Sequence, residues 1–160
     1  MAKKIAIYPG TFDPITNGHF DLMKRGLKIF DQIIVAVAEN SQKQTLLSLQ
    51  QIIDLVNEVT KDIKAINVMT LNKLVVDFAK DHSATIILRG LRAISDFEYE
   101  VQLASINRSI EPSIESVFMS PAEKYGFLSS SIIKDIAKHG GDLSKFVNKD
   151  VLDALSQKLN

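Results

Sequence analysis

Residues 4–30 read KIAIYPGTFDPITNGHFDLMKRGLKIF, and this stretch decides the fold. Lys4 to Tyr8 is short and apolar and meets Pro9-Gly10, the pattern of a buried strand running into a loop. Phe20, Met23, Leu27 and Phe30 then recur at helical spacing, which predicts a helix after a loop that ends near Gly18.

The rest of the chain repeats the strand-then-helix unit. Gln32 to Ala38 is unbroken and rich in β-branched residues, a second buried strand, and Ser48 with Gln51 has the spacing of a capping box. The helix opened there places Ile52, Leu55, Val56 and Val59 on one face. Ala65 to Met69 predicts a third strand, and Asn72 a cap for a helix carrying Leu74, Val75, Phe78 and Ala79. A fourth strand, Thr85 to Leu88, ends at Arg89-Gly90-Leu91-Arg92. Ser95 and Glu98 then predict a capping box for a helix that stops before Pro112. Glu115 to Met119 is a fifth strand. Ser129 opens a helix with Ile132, Ile133, Ile136 and Ala137 inward, closed by Gly140-Gly141. Asn148 caps a final helix with Leu152, Leu155 and Leu159. The expected fold is α/β: a single doubly wound domain over residues 1–160 with a parallel sheet of about five strands, its apolar strands covered on both faces.

Composition agrees with one compact unit and narrows the chemistry. The chain has 160 residues, 46% hydrophobic and 24% charged, enough for a real core. Nineteen Lys+Arg balance nineteen Asp+Glu, so no global positive field favours a nucleic acid partner, and an anionic ligand needs a local cluster. With no cysteine, disulfides, thiolate metal sites and cysteine nucleophiles are excluded. The apolar segment Ile5 to Tyr8 is too short for a signal peptide, and the run Ile33 to Ala38 is far below the ~20 residues of a membrane helix. A cytoplasmic protein with no membrane partner is expected.

Two nucleotide signatures are missing: G-x-x-x-x-G-K-[ST], and G-x-G-x-x-G after a strand. The chemistry sits instead in the strand-to-helix loops, which right-handed crossovers place at the carboxyl edge of the sheet. Gly18-His19 at a helix start offers N–H groups and an imidazole to a phosphate, or is simply a capped turn with a solvated histidine. Lys43 follows the second strand and is either a phosphate ligand or a solvated surface group. Arg89 and Arg92 offer forked donors to phosphates, against surface salt bridges with Asp96 or Glu98. Ser129-Ser130-Ser131 offers hydroxyls and N–H groups at a helix N-terminus, although one serine is the ordinary cap. His82 and His139 read as helix-end residues. No acidic cluster has metal-ligand spacing, so a divalent ion would be held chiefly by substrate phosphates.

Thr11-Phe12-Asp13-Pro14 with Asn17-Gly18-His19, then RGLRAISDFEYE over residues 89–100, then Leu128 to Ser131, resembles the nucleotidyltransferase superfamily. In length and order of motifs the whole chain is similar to the bacterial phosphopantetheine adenylyltransferases. The resemblance implies a Rossmann-like fold and a reaction of ATP with 4′-phosphopantetheine that yields dephospho-coenzyme A and pyrophosphate, with Mg2+ and a homohexamer. Carried onto matching positions, it implies His19 as transition-state stabiliser, with Lys43 and Arg92 also catalytic. Phosphopantetheine would meet Thr11, Lys43, Val75 and Arg89. ATP would meet Thr11, Phe12, His19, Gly90, Leu91, Arg92, Glu100 and the segment Tyr125, Gly126, Phe127, Leu128, Ser129, Ser130 and Ser131. Tyr125 stands where some relatives have tryptophan, and Gln44-Thr45 follows Lys43 where a lysine and a proline are expected.

The implied chemistry is an in-line attack by a phosphate on the α-phosphorus of ATP, in which the protein positions anions and neutralises spreading charge. The nucleophile is already anionic, so His19 is expected to donate a hydrogen bond rather than accept a proton. Two other readings stay open: a different acceptor or nucleotide, such as nicotinamide mononucleotide or CTP, and a non-catalytic nucleotide-binding protein on the same scaffold.

Overall fold

The computed structural model describes residues 3–39 and 44–159. Five strands, β1 (Ile5–Gly10), β2 (Gln32–Ala38), β3 (Ile66–Leu71), β4 (Ile86–Gly90) and β5 (Glu115–Met119), alternate with helices. These are α1 (Asn17–Gly26), α2 (Leu49–Thr60), α3 (Val75–Asp81), α4 (Ile94–Ile110), α5 (Ser130–Lys138) and α6 (Lys149–Leu159). The sheet is parallel with order β3-β2-β1-β4-β5. The chain winds outward from β1 to β3 and returns to the other side of β1 as β4. The carboxyl ends of β1 and β4 therefore form the switch point, where an open α/β sheet leaves a crevice for ligands.

The period-two alternation of the central strands sorts the core onto two faces. Ala6, Tyr8, Ile33, Val35, Val37 and Leu88 lie on one face with Met23 of α1, Ile52 and Val56 of α2, Ile133 of α5 and Val151 and Leu155 of α6. Ile7, Ile34, Ala36 and Ile87 lie on the other with Val76, Phe78 and Ala79 of α3. Both faces of the central strands are thus covered, which is why those strands read as continuous apolar runs.

Several boundaries differ from the sequence expectation. β1 continues through Pro9 and Gly10, which pair with Ala36 and Val37, and β4 continues through Arg89 and Gly90, which pair with Phe118 and Met119. Parallel pairing with a neighbour carries these strands past their local breakers. α1 starts before Gly18, because Thr16 is its N-cap, and it ends before Phe30, which is buried through the following turn. Asn72 caps nothing: α3 starts after Leu74 without a side-chain cap. The Ser95–Glu98 box is also absent, since Ala93 is the N-cap of α4 and Ser95 already lies inside the helix. Ile132 points outward at 47% exposure while Ile133 is fully buried. The Ser48–Gln51 capping box and the Ser129 cap form as expected, and Asn148 accepts the Asp150 N–H at 3.0 Å. His82 and His139 each sit at a helix end with Nδ1 2.8 Å from a carbonyl of the last turn.

Candidate active site

A cavity of about 340 Å³ opens at the switch point between β1 and β4. It joins the end of β1 and the loop after it, the start of α1, the end of β4 with Arg92, and the Tyr125–Ser131 segment leading into α5. His19, Arg92 and Ser130, which come from distant parts of the chain, share this one wall. Thr11, Phe12, Arg89, Gly90, Glu100, Tyr125, Leu128, Ser129 and Ser131 line it as well. Leu91, Gly126 and Phe127 do not. The Leu91 N–H extends the β4–β5 pairing to the Met119 carbonyl, and Phe127 is 94% exposed. Val75 lines a small neighbouring pocket that shares Pro9, Arg89 and Glu100 with the main cavity. Lys43 lies outside the described residues.

His19 owes its position to the cap of α1. It occupies the third helical position, where its backbone N–H donates to Thr16 Oγ1 and its Nδ1 accepts the Thr16 N–H at 3.0 Å. This is a capping box in which imidazole replaces the usual Glu or Gln. The Thr16 hydroxyl lies 3.1 Å from the same ring nitrogen. A nitrogen that accepts a backbone N–H carries no proton, so hydrogen-bond geometry assigns the proton of the neutral ring to Nε2. Burial of the ring, aided by the positive charge of Arg92, lowers its pKa from 6.5 to about 4. At neutral pH the cavity therefore holds an uncharged imidazole with one N–H to donate.

The ring is wedged by aromatic neighbours. Phe12 meets His19 edge-on at 5.0 Å and Tyr8 at 5.3 Å. Phe12 holds this place with φ +51°, a left-handed conformation unfavourable for a bulky residue. Gly10 makes room for it, because a Cβ there would lie 2.9 Å from the Phe12 ring. Burial also raises the pKa of the Tyr8 hydroxyl well above its ordinary value, with the nearby Arg89 and Arg92 pulling the other way, so it is a neutral phenol.

Among the described residues, the cations of the cavity each come with a carboxylate. Arg89 donates through Nε and Nη2 to Glu100 at 2.8 and 2.6 Å and through Nη1 to the Pro9 carbonyl at 2.9 Å. Glu100 is 7% exposed, and the bidentate pair fixes the guanidinium at the mouth of the small pocket. Arg92 lies 3.7 Å from Asp96 and donates to the Leu128 carbonyl at 3.0 Å, which ties the end of β4 to the segment before α5. Arg92 thus makes the expected ion pair with Asp96 and also lines the cavity. Lys134 of α5 pairs with buried Asp13 at 2.9 Å, and both line the cavity. Neither was singled out from the sequence, where 121 residues separate them and no local signal joins them.

With side-chain charges paired, the surplus attraction for an anion comes from spare N–H donors and from the N-termini of α1 and α5, which both open on the cavity. Among the described residues no cluster of three His, Cys, Asp or Glu side chains can hold a metal ion. No helix among them is long and apolar enough to cross a membrane.

The chain matches a family model described as cytidylyltransferase-like over residues 7–136. It is 54% identical over 157 residues to a phosphopantetheine adenylyltransferase of Vesicomyosocius okutanii subsp. Calyptogena okutanii (strain HA), covering 98% of this chain and 99% of that protein. Its fold is similar to that of a Vibrio parahaemolyticus protein described as a nicotinate-nucleotide adenylyltransferase, with TM-score 0.70 and 18% identity over 99% of this chain and 92% of the other. A lipopolysaccharide core biosynthesis protein of Thermoplasma volcanium GSS1 matches with TM-score 0.60 and 20% identity, covering 76% of this chain and 100% of its own. The two structural likenesses speak to the fold alone.

Proposed function

Because the chain belongs to the cytidylyltransferase-like family, we propose as its activity the transfer of AMP from ATP to 4′-phosphopantetheine, giving dephospho-coenzyme A and pyrophosphate. The near-full-length likeness to a relative named for that reaction carries the reading, and the cavity supplies chemistry that suits it.

In this mechanism a phosphate oxygen of phosphopantetheine attacks the α-phosphorus of ATP. The bond from that phosphorus to the bridging α,β oxygen breaks, and pyrophosphate leaves with the electron pair. The nucleophile is already an anion, so no general base is required and no covalent enzyme intermediate forms. His19 donates its Nε2–H to an oxygen of the transferring phosphoryl group; as a neutral donor held by Thr16, it needs no reorganisation as charge develops. Thr11, Arg92 and the start of α5 at Ser129–Ser131 bind the triphosphate, with Gly90, Glu100, Tyr125 and Leu128 shaping the nucleotide side. Arg89, fixed by Glu100, and Thr11 face the acceptor, Val75 lines the adjoining pocket for its apolar arm, and the family resemblance assigns Lys43 to the same substrate.

The donor set suits a Mg2+ ion that arrives on the triphosphate, because Asp13, Asp96 and Glu100 are each engaged with a cation. When bound, that ion neutralises charge on the phosphates. A cytoplasmic location follows from the same substrates.

The exposed side chains of α4 support the homohexamer. Ile94, Phe97, Tyr99, Ile106 and Ile110 are each more than half exposed, an apolar surface expected to be covered by other copies. A mass in solution equal to one chain would refute that assembly.

The activity is tested by pyrophosphate release from ATP and Mg2+ with 4′-phosphopantetheine as acceptor, beside nicotinate or nicotinamide mononucleotide as acceptor and CTP as nucleotide. Release dependent on phosphopantetheine and ATP is expected. Release only with another acceptor or nucleotide moves the activity there, and binding without release makes the chain a non-catalytic binder.

A further inference from the structure

Asp13 presents a difficulty for an anion site. It is a carboxylate with 2% exposure in the wall of a cavity that takes phosphates, where a free negative charge repels the ligand. Both of its oxygens are engaged elsewhere. Oδ1 accepts the Leu47 N–H at 3.0 Å, and Oδ2 accepts the Leu46 N–H at 2.9 Å and the Lys134 ammonium at 2.9 Å. Those donors belong to the chain leading from β2 into α2 and to α5, so one side chain of the loop after β1 gathers two other segments of the rim.

The contact with α5 is doubled. One turn before Lys134, the Ser130 hydroxyl donates to the Pro14 carbonyl at 2.8 Å. Positions i and i+4 share a helix face, so α5 docks through adjacent sites onto consecutive residues of one loop. The same loop continues into Thr16, whose N–H fixes His19. The loop that carries Asp13 thus links the start of α5 to the segment that fixes the imidazole, and Asp13 holds the Lys134 cation as its counter-charge.

We propose that Asp13 is a positioning residue for adenylyl transfer. Through Lys134 and the Leu46–Leu47 backbone it holds α5 and the chain entering α2 in register with His19. The inference rests on the triphosphate placement given above. It assigns Asp13 no contact with substrate; its effect is on where the binding groups stand.

The test is a set of variants, Asp13→Asn, Lys134→Met, Lys134→Arg and Asp13→Asn with Lys134→Met. Each is assayed for KM of ATP, KM of phosphopantetheine, kcat, and calorimetric binding of Mg2+·ATP. Each of Asp13→Asn and Lys134→Met is expected to weaken ATP by about tenfold, and the double variant by about the same factor, because coupled partners are not additive. Lys134→Arg restores ATP to within about threefold, while KM for phosphopantetheine stays within about twofold in both Lys134 variants, which leave the Leu46 and Leu47 contacts of Asp13 in place. An additive loss of about a hundredfold in the double variant, an equal loss for both substrates in Lys134→Met, or an arginine variant no better than methionine overturns the proposal. If Asp13→Asn does not fold, Asp13→Glu, which keeps the charge but displaces it, must show the same loss of ATP; a folded Asp13→Glu with unchanged ATP binding also overturns it. Calorimetry needs no turnover, so a wild-type protein that binds ATP without acting on phosphopantetheine counts against the functional reading and leaves the Asp13 coupling measurable.

Discussion

Acidification should destabilise this protein through His19 in a range where most carboxylates remain ionised. In the unfolded chain the ring titrates near 6.5, whereas in the folded protein burial, aided by Arg92, lowers it to about 4. A base whose folded pKa is depressed favours the fold while it is neutral. Its contribution is therefore intact above about pH 7, is lost as pH falls through 6.5, and stops changing below about pH 4, where both states are protonated. With those two values the loss is about 2 kcal/mol at pH 5 and approaches about 3 kcal/mol below pH 4. Protonation has a structural cost as well, since a proton on Nδ1 would oppose the Thr16 N–H that this nitrogen accepts. His19→Gln is the matched control, because glutamine at the third helical position still accepts that N–H but does not titrate. Urea denaturation of both proteins at pH 7 and pH 5 isolates the His19 share by difference, and carboxylate effects common to the two cancel. The wild type should lose about 2 kcal/mol more than His19→Gln over that interval, and its His19 ring signal in NMR should remain that of a neutral imidazole at pH 5. Equal losses in the two proteins, or a ring midpoint near 6.5, would refute the reasoning.

Other perturbations read other parts of the structure. His19→Ala should lower kcat by at least ~100-fold, the scale of one lost transition-state donor, with an unchanged circular dichroism spectrum; near-normal turnover would remove it from the mechanism. Arg89→Met leaves the Glu100 carboxylate, 7% exposed, without its bidentate partner and should cost about 3 kcal/mol in a denaturant titration at pH 7, with part of the loss recovered in the double variant with Glu100→Gln. Gly140 has φ +71° and open space where a Cβ would go, so Gly140→Ala reports backbone strain alone, about 1 kcal/mol by thermal unfolding, with catalysis unaffected.

The sequence made the strands and the order of the loops legible because their signals are local or periodic. β2 and β5 start and end where their apolar runs do, and the capping pair at Ser48 and Gln51 forms within four residues. Helix starts without a strong local competitor were less legible. Ser95 and Glu98 have the spacing of a capping box, yet the chain leaving β4 turns into α4 at Ala93, so Ser95 already lies within the first turn and cannot cap it. The Thr16 cap carries no sequence signal of the usual kind, because its box is closed by a histidine, not by Glu or Gln. The sites where Arg89 and Asp13 find their partners were invisible for a different reason. Glu100 is eleven residues from Arg89 and Lys134 is 121 from Asp13, so only the folded sheet edge brings them together. What the sequence could convey was that cationic and hydroxyl residues gather in loops at one edge. Which cation each carboxylate restrains, and that His19 is neutral, depend on packing.

The stereochemical course of the reaction at the α-phosphorus tests the mechanism most directly. With ATP chiral at that phosphorus through sulfur substitution and 4′-phosphopantetheine as acceptor, a single in-line displacement between two bound substrates inverts configuration in the dephospho-coenzyme A product. Inversion is the predicted result. Retention would mean that AMP passes through a covalent bond to the protein, and direct transfer assisted by a neutral His19 donor would be wrong.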